Sequence, residues 1–200
     1  FCLVIAAIIA LSCFSFGGYF LGKNSVLSNQ PSTKAPSIIL QQKPADNDEF
    51  SPSKLYSDVS KSVVGILVYN KSGKIGEASG VVYSADGYII TNDHIYSDIG
   101  SARFKVFTFD GNEYDAYYVA GDTRSDLAVL KISDKVSLNV PAFGNSDEVV
   151  SGEKVCAIGY PNGYNSSSTI TSGIVSVPKV RMSITTSYST NFIQTDTAIN

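Results

Sequence analysis

The residues best suited to chemistry are one histidine and one aspartate. His94 is the only histidine of the 200-residue sequence and follows the extended run YIITN. Asp126 directly precedes the run LAVLKI, which is apolar at nearly every position and predicts a strand buried on both faces. A carboxylate at the end of such a strand loses water and needs a partner for its charge. If Asp126 accepts a hydrogen bond from one ring nitrogen of His94, the other nitrogen can take a proton from a nucleophile.

Each of the two residues also has an ordinary structural interpretation. A lone histidine is more often a structural residue than a catalyst, and an aspartate at the end of the loop GDTRSD can cap a turn. The sequence therefore predicts a general base and its orienting acid on the condition that the fold brings His94 and Asp126 together.

Composition argues against other kinds of site. Lys and Arg total 15 against 18 for Asp and Glu, with no basic stripe, so we expect no nucleic-acid partner. One histidine and three scattered cysteines cannot form a tetrahedral metal site, and we expect neither a metal nor another cofactor. Cys156 lies in an apolar run and is interpreted as a small buried hydrophobe. Asp196 is interpreted as structural. Tyr114, Tyr117 and Tyr118 are interpreted as side chains on the half-buried surface of a strand.

The region after residue 52 predicts an all-β barrel or sandwich. Short runs rich in Val, Ile, Tyr and Phe alternate with Gly, Asp, Asn and Ser, and residues 55–62 predict a short helical lead-in. The dipeptides Asp86-Gly87 and Asp110-Gly111 predict tight hairpins, because Gly adopts positive φ at no steric cost. The predicted strands are 63–69, 77–84, 88–92, 104–109, 113–122, 127–132, 154–159, 168–177 and 192–195.

Residues 1–22 predict a membrane-spanning helix. The first 21 residues carry no charge, and about 20 apolar residues suffice to cross the hydrocarbon layer. The alternatives are a cleaved secretory signal, whose apolar region is usually about 7–15 residues long, and lipid modification at Cys13. Residues 23–52 are polar and Pro-containing and predict a disordered linker. Residues 53–200 then form one domain. The sequence does not begin with Met, so we expect the natural start upstream.

Six segments of the sequence form a pattern when they are taken in order. They are ASGVV (78–82), DGYIITNDH (86–94), SDLAVLKI (125–132), GEKVCAIGYP (152–161), TITSGIVS (169–176) and IQTDTAIN (193–200). No single segment would establish a relationship. Together they resemble the HtrA/DegP-like proteases, a family of trypsin-like serine endopeptidases, and the resemblance runs from about residue 61 to residue 200.

The resemblance implies a trypsin-like double β-barrel with the active site between the barrels. The first barrel would span about residues 61–133, and the second would begin near Pro141 and be incomplete. His94 would be the general base and Asp126 the residue that orients it. The family places a Pro-Gly-Asn-Ser-Gly-Gly turn directly after the segment that matches 193–200. We therefore expect the Ser nucleophile and the oxyanion hole to lie just beyond Asn200.

The family also implies a function for the full-length protein. It would hydrolyse peptide bonds of unfolded or damaged envelope proteins, as a single-pass membrane protein with its protease domain outside the cytoplasm. The resemblance further implies a homotrimer. The alternative is an inactive relative that keeps the fold as a peptide-binding module, although such a module needs neither His94 nor Asp126.

Overall fold

The fold consists mainly of antiparallel strands. The computed structural model of the chain describes residues 3–5, 40, 50–96, 102–161, 167–183 and 189–199. The elements are helix α1 (Pro52–Val59) and strands β1 (Leu3–Ile5), β2 (Val63–Asn70), β3 (Gly73–Val82), β4 (Tyr88–Thr91), β5 (Arg103–Phe107), β6 (Glu113–Asp122), β7 (Leu127–Ile132), β8 (Lys154–Gly159), β9 (Thr169–Ser183) and β10 (Ser189–Thr195).

Helix α1 confirms the predicted helical lead-in and begins three residues earlier than expected. The Ser51 hydroxyl caps it by accepting from the Lys54 N–H at 3.3 Å, and Pro52 occupies the first turn. A 3-10 turn over Ser60–Ser62 leads from the helix into β2. The Tyr56 hydroxyl donates to the Ser168 carbonyl at 2.8 Å, so the helix is fastened to the start of β9.

Strands β2 to β7 close into a barrel in the order β2-β3-β4-β7-β6-β5, with every neighbouring pair antiparallel. The two predicted hairpins are confirmed, because β3 pairs with β4 and β5 with β6 across the Asp-Gly turns. Gly87 and Gly111 have φ values of +98° and +83°, which an L side chain rarely adopts. Closure leaves no strand edge of the barrel open to another chain.

One apolar cluster fills the barrel. Its members come from all six strands and are buried: Val64, Ile66, Val68, Val82, Ile89, Phe104, Val106, Ala116, Leu130 and Ile132. The alternation follows the period of two that strands impose on side chains.

The prediction that β7 is buried on both faces is wrong. Ala128, Leu130 and Ile132 are buried, whereas the alternate residues of β7 are half-buried. The outer face of the strand lies on the barrel surface, where the Lys131 ammonium sits 5.3 Å from the centre of the Tyr88 ring and covers it.

The second sheet has the order β1-β8-β9-β10. β8 pairs antiparallel with β9, β9 with β10, and β1 lies parallel to β8. β9 and β10 are longer than predicted, because Ser189 pairs with Ser183 and the hairpin continues beyond the apolar runs. The predicted end of β9 falls just before Pro178, which cannot donate to a ladder, yet the strand continues past it. The residues added to the start of β10 are polar.

Most of the predicted anchor (1–22) and linker (23–52) lies outside the described residues. Within the described part of the chain, no helix combines the length and the apolar character needed to cross a membrane. Residues Leu3–Ile5 are extended, and Leu40 forms an isolated bridge with Phe143. The anchor and the linker both stay predictions.

Candidate active site

The register of two barrel strands brings His94 and Asp126 to the same rim. β4 and β7 run antiparallel, with Thr91 paired to Ala128. The end of β4 therefore meets the start of β7. His94 lies three residues past Thr91, in a 3-10 turn over Asp93–Ile95, and Asp126 lies two residues before Ala128. The pairing of β4 with β7 thus brings together two residues that lie 32 positions apart in the sequence.

Both oxygens of the Asp126 carboxylate contact His94, one at the backbone and one at the imidazole. The imidazole Nδ1 lies 2.8 Å from Asp126 Oδ2, and the His94 backbone N–H donates to Oδ1 at 2.9 Å. Since an ionised carboxylate only accepts hydrogen bonds, Nδ1 of the neutral ring is the protonated nitrogen, and Nε2 keeps its lone pair. The Asp126 side chain is 22% exposed and that of His94 68% exposed, so the acid is shielded while the imidazole faces outward.

Asn92 adds a further contact to the same carboxylate, and sequence reasoning did not identify it. Its Nδ2 donates to Asp126 Oδ2 at 2.9 Å and to the Asp126 carbonyl at 3.3 Å, and the Asp93 N–H donates to that carbonyl at 3.2 Å. The sequence did offer a signal, since Asn92 lies two residues before His94. A side-chain amide can donate a hydrogen bond to a carboxylate that also accepts from an imidazole.

Asp126 also has an unusual backbone conformation. Its φ is +54°, the one positive value at a non-glycine position among the residues that the structure describes. Asp tolerates this left-handed region better than most residues, and such conformations persist only where the surroundings enforce them. The hydrogen bonds from Asn92, Asp93 and His94 provide that enforcement.

The loop that leads into Asp126 is stabilised from within. The Asp122 carboxylate accepts from the backbone N–H of Arg124 at 3.0 Å and from its Nε at 2.9 Å. The Ser125 hydroxyl and N–H both reach the Asp122 carbonyl. The hydrogen bond from the Arg124 guanidinium is the main reason why the pKa of Asp122 lies below its usual value.

A second polar contact lies beneath the turn that carries His94. The Asp93 side chain is buried, with the residue 3% exposed, and accepts from the Tyr118 hydroxyl at 3.0 Å. Burial, followed by this hydrogen bond, raises the pKa of Tyr118 to about 12. Tyr118 is half-buried, as expected for a side chain on the surface of a strand. Its contact with Asp93 was not predicted, because the two residues lie 25 positions apart in the sequence.

The other residues considered from sequence have structural surroundings. Asp196 Oδ1 accepts from the Ile174 N–H at 2.7 Å and ties the end of β10 to β9, which agrees with the structural interpretation. Cys156 is buried in β8, as expected for a small hydrophobe. Tyr117 is exposed and Tyr114 half-buried on β6.

A cleft of about 230 Å³ separates the barrel from the second sheet. Its barrel wall is formed by Val63 of β2, residues 77–81 of β3 and Ile90 of β4, and neither His94 nor Asp126 lines it. The opposite wall comes from residues 157–161, Thr169 and Thr171 of β9, and residues 198–199. The Ser79 hydroxyl crosses between the two halves by accepting from the Tyr160 N–H at 2.9 Å.

Comparison with known proteins identifies the family of the chain. The closed six-stranded antiparallel barrel fits a trypsin-like fold. The family model described as "Trypsin-like peptidase domain" matches residues 78–200. The chain therefore belongs to the family of trypsin-like peptidase domains.

Curated relatives confirm the HtrA/DegP-like resemblance. "Serine protease Do-like HtrA" of Bacillus subtilis (strain 168) is 38% identical over 175 residues, which cover 76% of this chain and 38% of that protein. The protein of the same name from Lactobacillus helveticus is 39% identical over 137 residues, covering 66% and 33%. "Probable periplasmic serine endoprotease DegP-like" of Ectopseudomonas mendocina (strain ymp) is 42% identical over 135 residues, covering 66% and 27%. The chain thus spans well under half the length of these relatives.

Proposed function

We propose that the full-length protein is a serine endopeptidase that hydrolyses peptide bonds, with His94 as general base and Asp126 as the residue that orients it. The observation that carries the proposal is the 2.8 Å contact between His94 Nδ1 and Asp126 Oδ2, made by a shielded carboxylate and an outward-facing imidazole. The family resemblance supplies the third member, a Ser in the segment that follows the match to residues 193–200.

The chemistry is acyl transfer in two halves. His94 Nε2 takes the proton of the Ser hydroxyl as its oxygen attacks the peptide carbonyl, and then gives that proton to the departing amine. Water repeats the sequence on the acyl-enzyme and regenerates the Ser hydroxyl. Asp126 keeps Nδ1 protonated and stabilises the imidazolium between the two transfers. The backbone N–H groups of the nucleophile turn would supply oxyanion stabilisation, which is worth about 3–4 kcal/mol per donor.

The substrates, location and assembly of the protein belong to the same proposal. Its substrates would be unfolded or damaged polypeptides of the cell envelope, in the service of protein quality control. The name of the Ectopseudomonas mendocina relative, which describes a periplasmic endoprotease, supports an extracytoplasmic domain. The charge-free residues 1–21 support a single-pass membrane anchor joined to the domain by the linker 23–52. A completed second barrel and a homotrimer follow from family resemblance.

Labelling with a fluorophosphonate tests the proposal on the full-length protein. This reagent reacts with a Ser only when a neighbouring base activates it, so we expect the wild type to be labelled and to hydrolyse unfolded casein. His94→Ala should reduce both to background, whereas Tyr117→Phe, a change on the exposed face of β6, should leave both unchanged.

Two outcomes would contradict the proposed role of His94. The first is undiminished labelling of His94→Ala. The second is binding of unfolded polypeptides by a wild-type protein that is neither labelled nor hydrolytic, which would indicate a peptide-binding module.

A further inference from the structure

The turn that carries His94 is held from two sides. On one side Asp126 accepts hydrogen bonds from its backbone and its imidazole. On the other side the buried carboxylate of Asp93 points toward β6 and accepts from the Tyr118 hydroxyl. The proposed mechanism uses the first contact and leaves the second without a role. Asp93 directly precedes His94 in the same 3-10 turn, so a contact that fixes Asp93 also restrains the backbone that carries the imidazole.

Tyr118 contacts this turn at two points that bracket His94. Its hydroxyl lies 3.0 Å from Asp93 Oδ1, and its ring stacks on that of Tyr96, with centroids 4.1 Å apart and planes inclined by 14°. The Tyr96 N–H in turn donates to the Asp93 carbonyl at 2.9 Å and closes the turn. The pKa of about 12 keeps the Tyr118 hydroxyl protonated, and therefore a donor, over the physiological pH range.

Gly121 makes room for this contact. A Cβ at that position would overlap with both Asp93 Oδ1 and the Tyr118 hydroxyl. The atoms in the way are the ends of the two interacting side chains, so a methyl group at residue 121 would separate them without removing either polar group. Position 121 therefore provides a way to break the contact independently of Asp93 and Tyr118.

From these contacts we propose that Asp93 and Tyr118 form a positioning pair that fixes the turn bearing His94 and so aligns its imidazole for proton transfer. The pair acts through His94 and touches no substrate. This inference rests on the proposed function. Misplacement of a reacting group by about 1 Å can cost about 100-fold in rate, so a modest loosening of the turn has a measurable effect.

The test measures kcat and KM of the full-length protein on a peptide substrate, with kcat expressed per site titrated by fluorophosphonate so that unfolded molecules do not count. Tyr118→Phe removes only the hydroxyl and keeps the ring on Tyr96, and Asp93→Ala removes the acceptor. We expect each to lower kcat by about 10- to 100-fold with KM unchanged. Their combination should lower it no further, because either change alone breaks the contact.

Three variants separate positioning from a general structural role. Asp93→Asn keeps an oxygen that can accept from Tyr118, so it should restore kcat to near the wild-type value. Gly121→Ala should lower kcat as Tyr118→Phe does. If Tyr118→Phe does not fold, Gly121→Ala still tests whether the contact between Asp93 and Tyr118 affects kcat. Tyr117→Phe removes a hydroxyl from the exposed neighbour on the same strand and should have no effect.

Two results would overturn the inference, and they are distinguishable. If the wild type is active and both Tyr118→Phe and Gly121→Ala match Tyr117→Phe in kcat per titrated site, the pair does not position His94. If the wild type neither reacts with the fluorophosphonate nor hydrolyses peptides, the proposed function itself fails, and the role of the pair in that reaction fails with it.

Discussion

The closed barrel and the second sheet bury their apolar residues to different degrees. The barrel has one cluster of ten buried residues and pairs every strand on both sides. Among the described residues of the second sheet, Val155 and Val175 are buried together with Val149, and Ile158 is buried in a separate small cluster with Val63 and Tyr160. Ile174 and Phe192 on its strands are exposed. His94 and Asp126 both lie at the rim of the barrel, next to the ends of β4 and β7. Within the described residues, the proposed base and its orienting acid are therefore carried by the sheet that is closed and has the larger buried cluster.

The largest expected effect concerns the contact between His94 and Asp126 at the rim of the barrel. In the full-length protein, Asp126→Asn should lower kcat about 10⁴-fold, because an amide no longer fixes the imidazole tautomer or stabilises its charge. Since Asn tolerates positive φ, the fold should persist. Asp126→Ala should lose similar activity and also about 1–2 kcal/mol of stability, because Ala lacks the polar side chain whose hydrogen bonds offset the cost of φ +54° in Asp126. Activity of Asp126→Asn within tenfold of the wild type would contradict the assigned role.

The next effect compares the two regions directly. Phe104 is fully buried in the barrel, so Phe104→Ala should lower the free energy of unfolding by about 3–5 kcal/mol. In the 200-residue chain Phe192 is exposed on β10, and Phe192→Ala there should cost about 1 kcal/mol. Native-state hydrogen exchange, read separately for peptides of the two regions, measures both changes. Equal losses would mean that the barrel is not the better-supported half.

A smaller effect tests how tightly the barrel is packed. A Cβ at Gly80 would lie 2.6 Å from Ile89 Cγ2 and 2.9 Å from Ile66 Cδ1, so Gly80→Ala should destabilise the barrel by about 1–3 kcal/mol. Gly76, on the same strand, is the matched control, because its Cβ would meet Val68 at 3.8 Å, an ordinary contact. Barrel peptides should exchange faster in the first variant only. Equal exchange in both variants would refute the close packing.

The smallest effect concerns the loop that delivers Asp126. The pKa of Asp122 is lowered, chiefly by the hydrogen bond from Arg124, so folding favours the ionised carboxylate. This stability is present above the unfolded pKa of about 3.9 and is lost as pH falls through the lower folded value. The wild type should therefore melt slightly above Asp122→Asn at pH 7 and together with it near pH 2. A difference in Tm that grows on acidification would contradict this sign.

The sequence predicted those features of the barrel that follow from local patterns. The Asp-Gly turns at Gly87 and Gly111 allowed two hairpins to be predicted, because a tight turn requires a residue with positive φ and Gly supplies it. The proximity of His94 and Asp126 followed from a polar residue at the end of an apolar strand and from family resemblance. Their contact is present in the structure, and their catalytic role stays a prediction.

The features that the sequence did not predict depend on distant pairing. Tyr118 meets Asp93 only because β6 closes the barrel beside the His94 turn, and no local pattern encodes that approach. The positive φ of Asp126 likewise results from hydrogen bonds donated by residues of another segment. The extension of β9 to Ser183 runs past Pro178, and a Pro within an extended run argues against a continuing strand.

The most direct test of the central claim is the position of the proton on His94. In the full-length protein labelled with ¹⁵N-histidine, the His94 signals are those lost in His94→Ala. We expect the neutral ring of the wild type to carry its proton on Nδ1, and we expect that preference to disappear in Asp126→Ala. A neutral ring protonated on Nε2 in the wild type, unchanged in Asp126→Ala, would show that the carboxylate does not hold the imidazole.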